Sequence, residues 1–263
     1  MRKLYIAVAA AVVAALAVAG IAVAANTYEV DIASGSPNAK GSPSKPVPVS
    51  LNFGYEVGDT ENLRPSIINQ YFIASEGIKY FPKARPTCTF SQASESPKYN
   101  SACNKAVLGN GTIDNQAGAP TDRTQKLPCA VKLTLLNISN GPGVTKKRGA
   151  MAIRIDTDPP ACPIPVHGAL AAPIFDVKIE GIPTSELRFR VPDDLTHPGG
   201  IDNSVVDTVS HVLKKTGKVK IGGKTRTVGF ASAVGRKGRT RLVRVTFVSE
   251  DGQRETATTT YPK

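Results

Sequence analysis

With 263 residues, a formal net charge of +12 and 6% aromatic residues, the chain can form one large domain or two small ones. It has no tryptophan, so any core must rest on Val, Ile, Leu and Ala. Its 20 prolines and 23 glycines exclude a mainly helical protein and suit many short strands joined by turns.

The chain begins "MRKLYIAVAAAVVAALAVAGIAVAANT", in which Arg2 and Lys3 precede an uncharged apolar run from Leu4 to Ala25. Small residues at Ala22, Ala24 and Ala25 give residues 1–25 the form of a secretory signal peptide cut near Asn26. The competing reading is an uncleaved N-terminal anchor, since the run is long enough to span a bilayer. Either places residues 26–263 outside the cytoplasm, secreted or at the extracytoplasmic cell surface. Residues 26–46, with "IASGSPNAKGSPSKP", read as a flexible Ser/Pro/Gly-rich linker.

From Val47 the pattern turns to strands. "VPVSLNFGYEV" alternates, with Leu51, Phe53 and Tyr55 on one side, and "INQYFIAS" and "GIKYF" follow across a turn at Ser75-Glu76-Gly77. The stretch between Cys88 and Cys103 has room for a short helix, after which "AVLGNGTI" returns as a strand with Asn110-Gly111 as a turn signal. "AVKLTLLNIS", "GAMAIRIDT", "FDVKIEGIP" and "ELRFRVP" continue the series. The clearest element is a C-terminal hairpin of "TRLVRVTFV" and "RETATTTY" joined at Glu250-Asp251-Gly252-Gln253, with Val243, Val245 and Phe247 inward. The series predicts an all-β fold over residues 47–263, an antiparallel β-sandwich of immunoglobulin-like general character. It is one large or two small sandwiches, with a seam considered at 199–202.

Four cysteines in an exported chain read first as disulfides, and sequential pairing, Cys88–Cys103 and Cys129–Cys162, closes two local loops. No pair has the spacing of a zinc knuckle or a redox C-x-x-C, and no signature marks a cysteine nucleophile.

"RPTC", Cys103 with the following "AVLGNGT", "ELRFRVPDDLTHPGGIDNSVV" and "VRVTFVSEDGQRETATTT" resemble a family of exported, signal-peptide-bearing all-β bacterial proteins with no assigned activity. The resemblance covers most of residues 47–263 and implies export and a β fold, and it implies no reaction. Asn104 after Cys103 departs from the proline that the family carries there.

Charge is the most unusual feature. From Thr208 to Ser249 there are eleven basic residues and no acid: Lys214, Lys215, Lys218, Lys220, Lys224, Arg226, Arg236, Lys237, Arg239, Arg241 and Arg244. Alternate members on strands would share a face and present a positive field to anionic cell-wall polymer or lipid head groups. No specific nucleic-acid partner is expected, because Phe230 and Phe247 are the only aromatics there. The plainer reading is a solvated face that keeps the protein soluble and guards its sheet edges.

"PDDLTH" brings Asp193, Asp194 and His197 close in sequence, weak candidates for a metal or for acid–base work, beside the simpler reading as a turn. Asp156 and Asp158 in "DTDPPACP" resemble half a calcium loop but lack its glycine and terminal glutamate. No G-x-S-x-G, P-loop, H-E-x-x-H or dinucleotide fingerprint occurs, and no cofactor is expected. The expected function is therefore non-catalytic: an exported structural or adhesive β protein held to the envelope by its basic C-terminal face. A carboxylate-dependent secreted hydrolase and a membrane-anchored surface binding domain are the alternatives.

Overall fold

The computed structural model describes residues 25–31, 39–145 and 148–261. The expected signal peptide or anchor, apart from Ala25, and residues 32–38 of the expected linker lie outside the described residues.

The N-terminal half contributes β1 (Asn26–Asp31), β2 (Val47–Pro48), β3 (Leu51–Asp59), β4 (Ile68–Ser75), β5 (Ile78–Tyr80), β6 (Val107–Gly118) and β7 (Leu127–Ile138). After them come β8 (Ala150–Thr157), β9 (Val166–Ile179), β10 (Ile182–Arg190), β11 (Asp202–Val212), β12 (Thr216–Ile221) and β13 (Lys224–Gly229). The last are β14 (Ala231–Ala233), β15 (Arg241–Ser249) and β16 (Arg254–Tyr261). Two single-turn helices, α1 (Phe90–Ser94) and α2 (Asp193–Thr196), sit in loops.

Eleven strands form one antiparallel sheet in the order β1-β3-β11-β6-β7-β8-β9-β10-β4-β15-β16. The sheet curls until its edge strands β1 and β16 lie against each other without a hydrogen-bonded ladder. Tyr28 of β1 stacks on Phe247 of β15 across this seam, with ring centroids 4.5 Å apart. The expected all-β antiparallel class is what the chain forms, as a nearly closed, barrel-like sandwich.

Inward and outward residues alternate as the sequence pattern requires. Val243, Val245 and Phe247 are buried on β15, while Arg244 between them stays half-buried. Three-stranded sheet β2-β14-β5 covers the end where β3, β6 and β15 begin, and Ile78, Phe230 and Ala233 pack there on Leu108, Leu135 and Leu187. At the opposite end α2 places Leu195 among Val131, Val166 and the Cys129–Cys162 bridge. Both expected disulfides are formed, and Cys88–Cys103 fastens α1 and the 3-10 turn Ser101–Ala106 to the outside of β7 and β8. Two disulfides are compatible with an extracytoplasmic location, and among the described residues no helix is long and apolar enough to cross a membrane.

Three expectations need correction. The linker reading of residues 26–46 fails at its start, because Asn26–Asp31 is β1, paired with β3 from Asn26↔Asp59 to Asp31↔Gly54. Tyr28 and Val30 supply the inward side that the Ser/Pro/Gly-rich average concealed. Asn110-Gly111 is no turn but lies inside β6, which runs on to Gly118. Its glycines answer a close approach: a Cβ on Gly111 would lie 2.2 Å from the Val209 carbonyl oxygen of β11. The seam considered at 199–202 is a 3-10 turn, Pro198–Gly200, leading into β11. Since β11 lies between β3 and β6, the chain before and after this turn belongs to one sheet.

Candidate functional site

Of the eleven basic residues, Lys218, Lys220, Lys224 and Arg226 belong to the β12–β13 hairpin, a two-stranded sheet projecting from one barrel end. Its turn is Gly222-Gly223 with φ of 55° and 77°, the paired left-handed conformation that a tight hairpin demands and that glycine adopts freely. Lys218 and Lys220 stand on one face opposite Thr227 and Thr225. On the other face Val219 pairs with Arg226 and Ile221 with Lys224. Gly217 lets the hairpin's base rest on the turn Pro82–Ala84, where a Cβ would meet the Ala84 carbonyl oxygen at 1.8 Å.

That contact adds exposed Lys83 to the cluster, and Arg85, which donates to the carbonyls of Thr216 and Lys105, brings exposed Lys105 beside it. Lys214, Lys218, Lys220 and Lys224 are exposed, and none joins an ion pair found among the described residues. Lys215 donates to the Val107 carbonyl.

The rest of the set divides. Arg236, Lys237 and Arg239 lie on the loop before β15, with Lys237 paired to Glu180 at 3.0 Å. Arg241 leaves the surface altogether at 3% exposure, which corrects its place in the expected face. Its guanidinium donates to the carbonyls of Glu76, Gly235 and Ala39. Burial, against the opposing pull of Glu76, lowers its pKa to about 10, still charged at neutral pH. Arg244 is half-buried and paired with Glu186 at 3.2 Å, so it too is occupied.

The opposite end carries the acids. Asp193 and Asp194 are exposed in the first turn of α2, but His197 turns away from both. Its Nδ1 lies 3.1 Å from Asp202 and its Nε2 2.9 Å from Glu250, and Asp202 also accepts from the fully buried Arg64. Burial works against the His197 proton, yet Glu250 and Asp202 together hold its pKa above the usual histidine value. Asp156 and Asp158 bracket His167 at 3.1 Å each, and Asp156 also pairs with buried Arg154. Among the described residues no group of three His, Cys, Asp or Glu side chains is placed to hold a metal ion.

Two features escaped sequence reasoning. Outside β9, β10 and β4, a groove of about 820 Å3 is lined in part by Phe72, Phe175 and Arg188. There Arg188 stacks between the two rings, with Arg148 on Phe175 at 3.9 Å and Arg254 on Phe72 at 4.5 Å. Glu186 neutralises Arg188 at 2.6 Å, so this row is largely satisfied within itself.

The second is an interior cavity of about 150 Å3 between the walls of the barrel. Leu51, Phe53, Ile73, Ile153, Phe189 and Val205 all line it, and each is only partly buried although it faces inward. Asn115, between Ile113 and Ala117, and Asn203, two residues before Val205, come together on its lining only through the pairing of β6 with β11.

Searches of protein-family models, of curated proteins and of solved structures found no match to this chain.

Proposed function

We propose that this is a non-catalytic exported β protein that holds to anionic cell-wall polymer through the hairpin end of its barrel. One observation carries the reading: the exposed lysines 214, 218, 220 and 224 stand at one pole without an ion-pair partner among the described residues, with Lys83 and Lys105 beside them. Free cations in a field of one sign attract a polyanion, whereas cations already paired do not. A flexible polymer needs no shaped pocket, and a projecting two-stranded hairpin gives it a ridge with lysines on both faces.

Co-sedimentation of residues 26–263 with isolated cell wall over a salt series tests this. Retention should be strong in dilute buffer, fall as salt screens the lysines, and be largely lost in the triple variant Lys218→Gln/Lys220→Gln/Lys224→Gln. Equal retention of the variant would overturn the reading, as would retention by anionic phospholipid vesicles but not by wall polymer.

A further inference from the structure

We infer that the barrel interior is a binding site for a small neutral molecule, apolar over most of its surface and carrying one hydrogen-bond donor. A cavity of about 150 Å3 accommodates a benzene-sized guest. Leu133, Leu135, Ile153 and Leu187 give it an apolar wall on β7, β8 and β10.

The lining on β6 and β11 is different. Register places Asn203 opposite Ala117 and Asn115 opposite Val205, so the two asparagines are diagonal neighbours on β11 and β6. Asn203 Nδ2 donates to the Leu195 carbonyl at 3.3 Å, which orients the amide and leaves Oδ1 as the unused atom. Oδ1 of Asn203 and Oδ1 of Asn115 are both buried without a hydrogen-bond partner among the described residues, and both residues line the cavity. Buried carbonyl oxygens are normally satisfied, so two unused acceptors on one cavity wall mark where a guest's donor belongs. Beside them the hydroxyls of Tyr71 and Thr208 are also buried and make no hydrogen bond among the described residues, and burial, above all, pushes the hydroxyls of Tyr55 and Tyr71 upward in pKa, so they stay neutral.

Charge on the guest is excluded by the lining. Arg241 borders the cavity, but both terminal nitrogens of its guanidinium serve carbonyls, which leaves only its Nε without a partner among the described residues. A cationic guest would lose its hydration beside Arg241 with no compensating charge, and an anionic one would lose its hydration for the Nε of Arg241 alone.

The test is a titration of the intact protein with p-cresol, toluene and benzoate, followed through its methyl resonances by NMR. p-Cresol should saturate, shift the methyls of Leu133, Ile153 and Val205, and bind about tenfold tighter than toluene, the effect of one added hydrogen bond. Benzoate should not bind. In Asn115→Leu the preference for p-cresol over toluene should fall several-fold. Absence of saturable shifts, shifts confined to surface methyls, or binding of benzoate as tight as p-cresol would overturn the inference. So would a p-cresol to toluene ratio near one in the wild-type protein, which decides the matter even if the variant does not fold.

Discussion

Two ionisable residues report how the outer surface is balanced. Asp207 stands in a cross-strand row of four carboxylates, Glu29, Glu56, Asp207 and Asp114, on neighbouring strands β1, β3, β11 and β6. Burial and then Asp114 raise its pKa, only partly offset by the Thr208 backbone N–H. A carboxyl raised in the folded state costs stability once ionised, and that cost disappears as pH falls through the raised value. Asp207→Asn should therefore stabilise the protein at pH 7 by roughly 0.2–1 kcal/mol, the scale of a like-charged cross-strand contact. The gain should shrink towards pH 3, which thermal melts across pH would show.

His197 has the opposite sign. Its pKa is raised because Glu250 and Asp202 outweigh burial, so its stabilising effect is full below the unfolded value near 6.5 and fades as pH rises through the folded one. His197→Gln should lower the melting temperature more at pH 6 than at pH 9. An equal loss at both would mean that the imidazolium does not bind its two carboxylates.

At the scale of elements, buried arginines hold the loops where no strand does. Arg154 on β8, fully buried, donates to the carbonyls of Ala93, Glu95 and Pro97 and pairs with Asp156. It thus ties α1 and the loop after it to the barrel wall, and the Cys88–Cys103 bridge holds the same segment from its other side. Arg154→Met strands three carbonyls and a carboxylate, and should cost about 3 kcal/mol in chemical denaturation with both disulfides intact. A loss under about 1 kcal/mol would show that the bridge alone suffices.

Local elements of this kind were legible in the sequence, and those fixed by distant partners were not. The β15–β16 hairpin and both disulfides could be read because their determinants lie close together: period-2 apolar residues, a Glu-Asp-Gly-Gln turn and sequential cysteines. β1 was hidden because six strand residues precede a Ser/Pro/Gly-rich run that dominates the local composition. Arg241 looked like Arg239 in the sequence. The carbonyls of Glu76 and Ala39, 165 and 202 residues away, help to hold one of them inside. The cavity was similarly out of reach, since Asn115 and Asn203 reveal themselves only once β6 and β11 are paired in register.

Over the whole molecule, charge is sorted along the barrel axis. Lysines gather at the end bearing the β12–β13 hairpin, while Asp59, Asp193, Asp194, Asp202, Glu250 and Asp251 lie at the other. A net positive protein polarised this way should meet a polyanion with one end first, its acidic end repelled. The arrangement also leaves the Tyr28–Phe247 seam on the barrel's side, clear of the surface that would face the polymer.

The most direct measurement is a backbone amide chemical-shift map of residues 26–263 titrated with soluble anionic cell-wall polymer in dilute salt. Proposed binding through the hairpin end predicts shifts in Lys214–Arg226, Lys83 and Lys105 that disappear when salt is added. Shifts centred on the Phe72–Arg188–Phe175 row, or on the end containing His197, would contradict it.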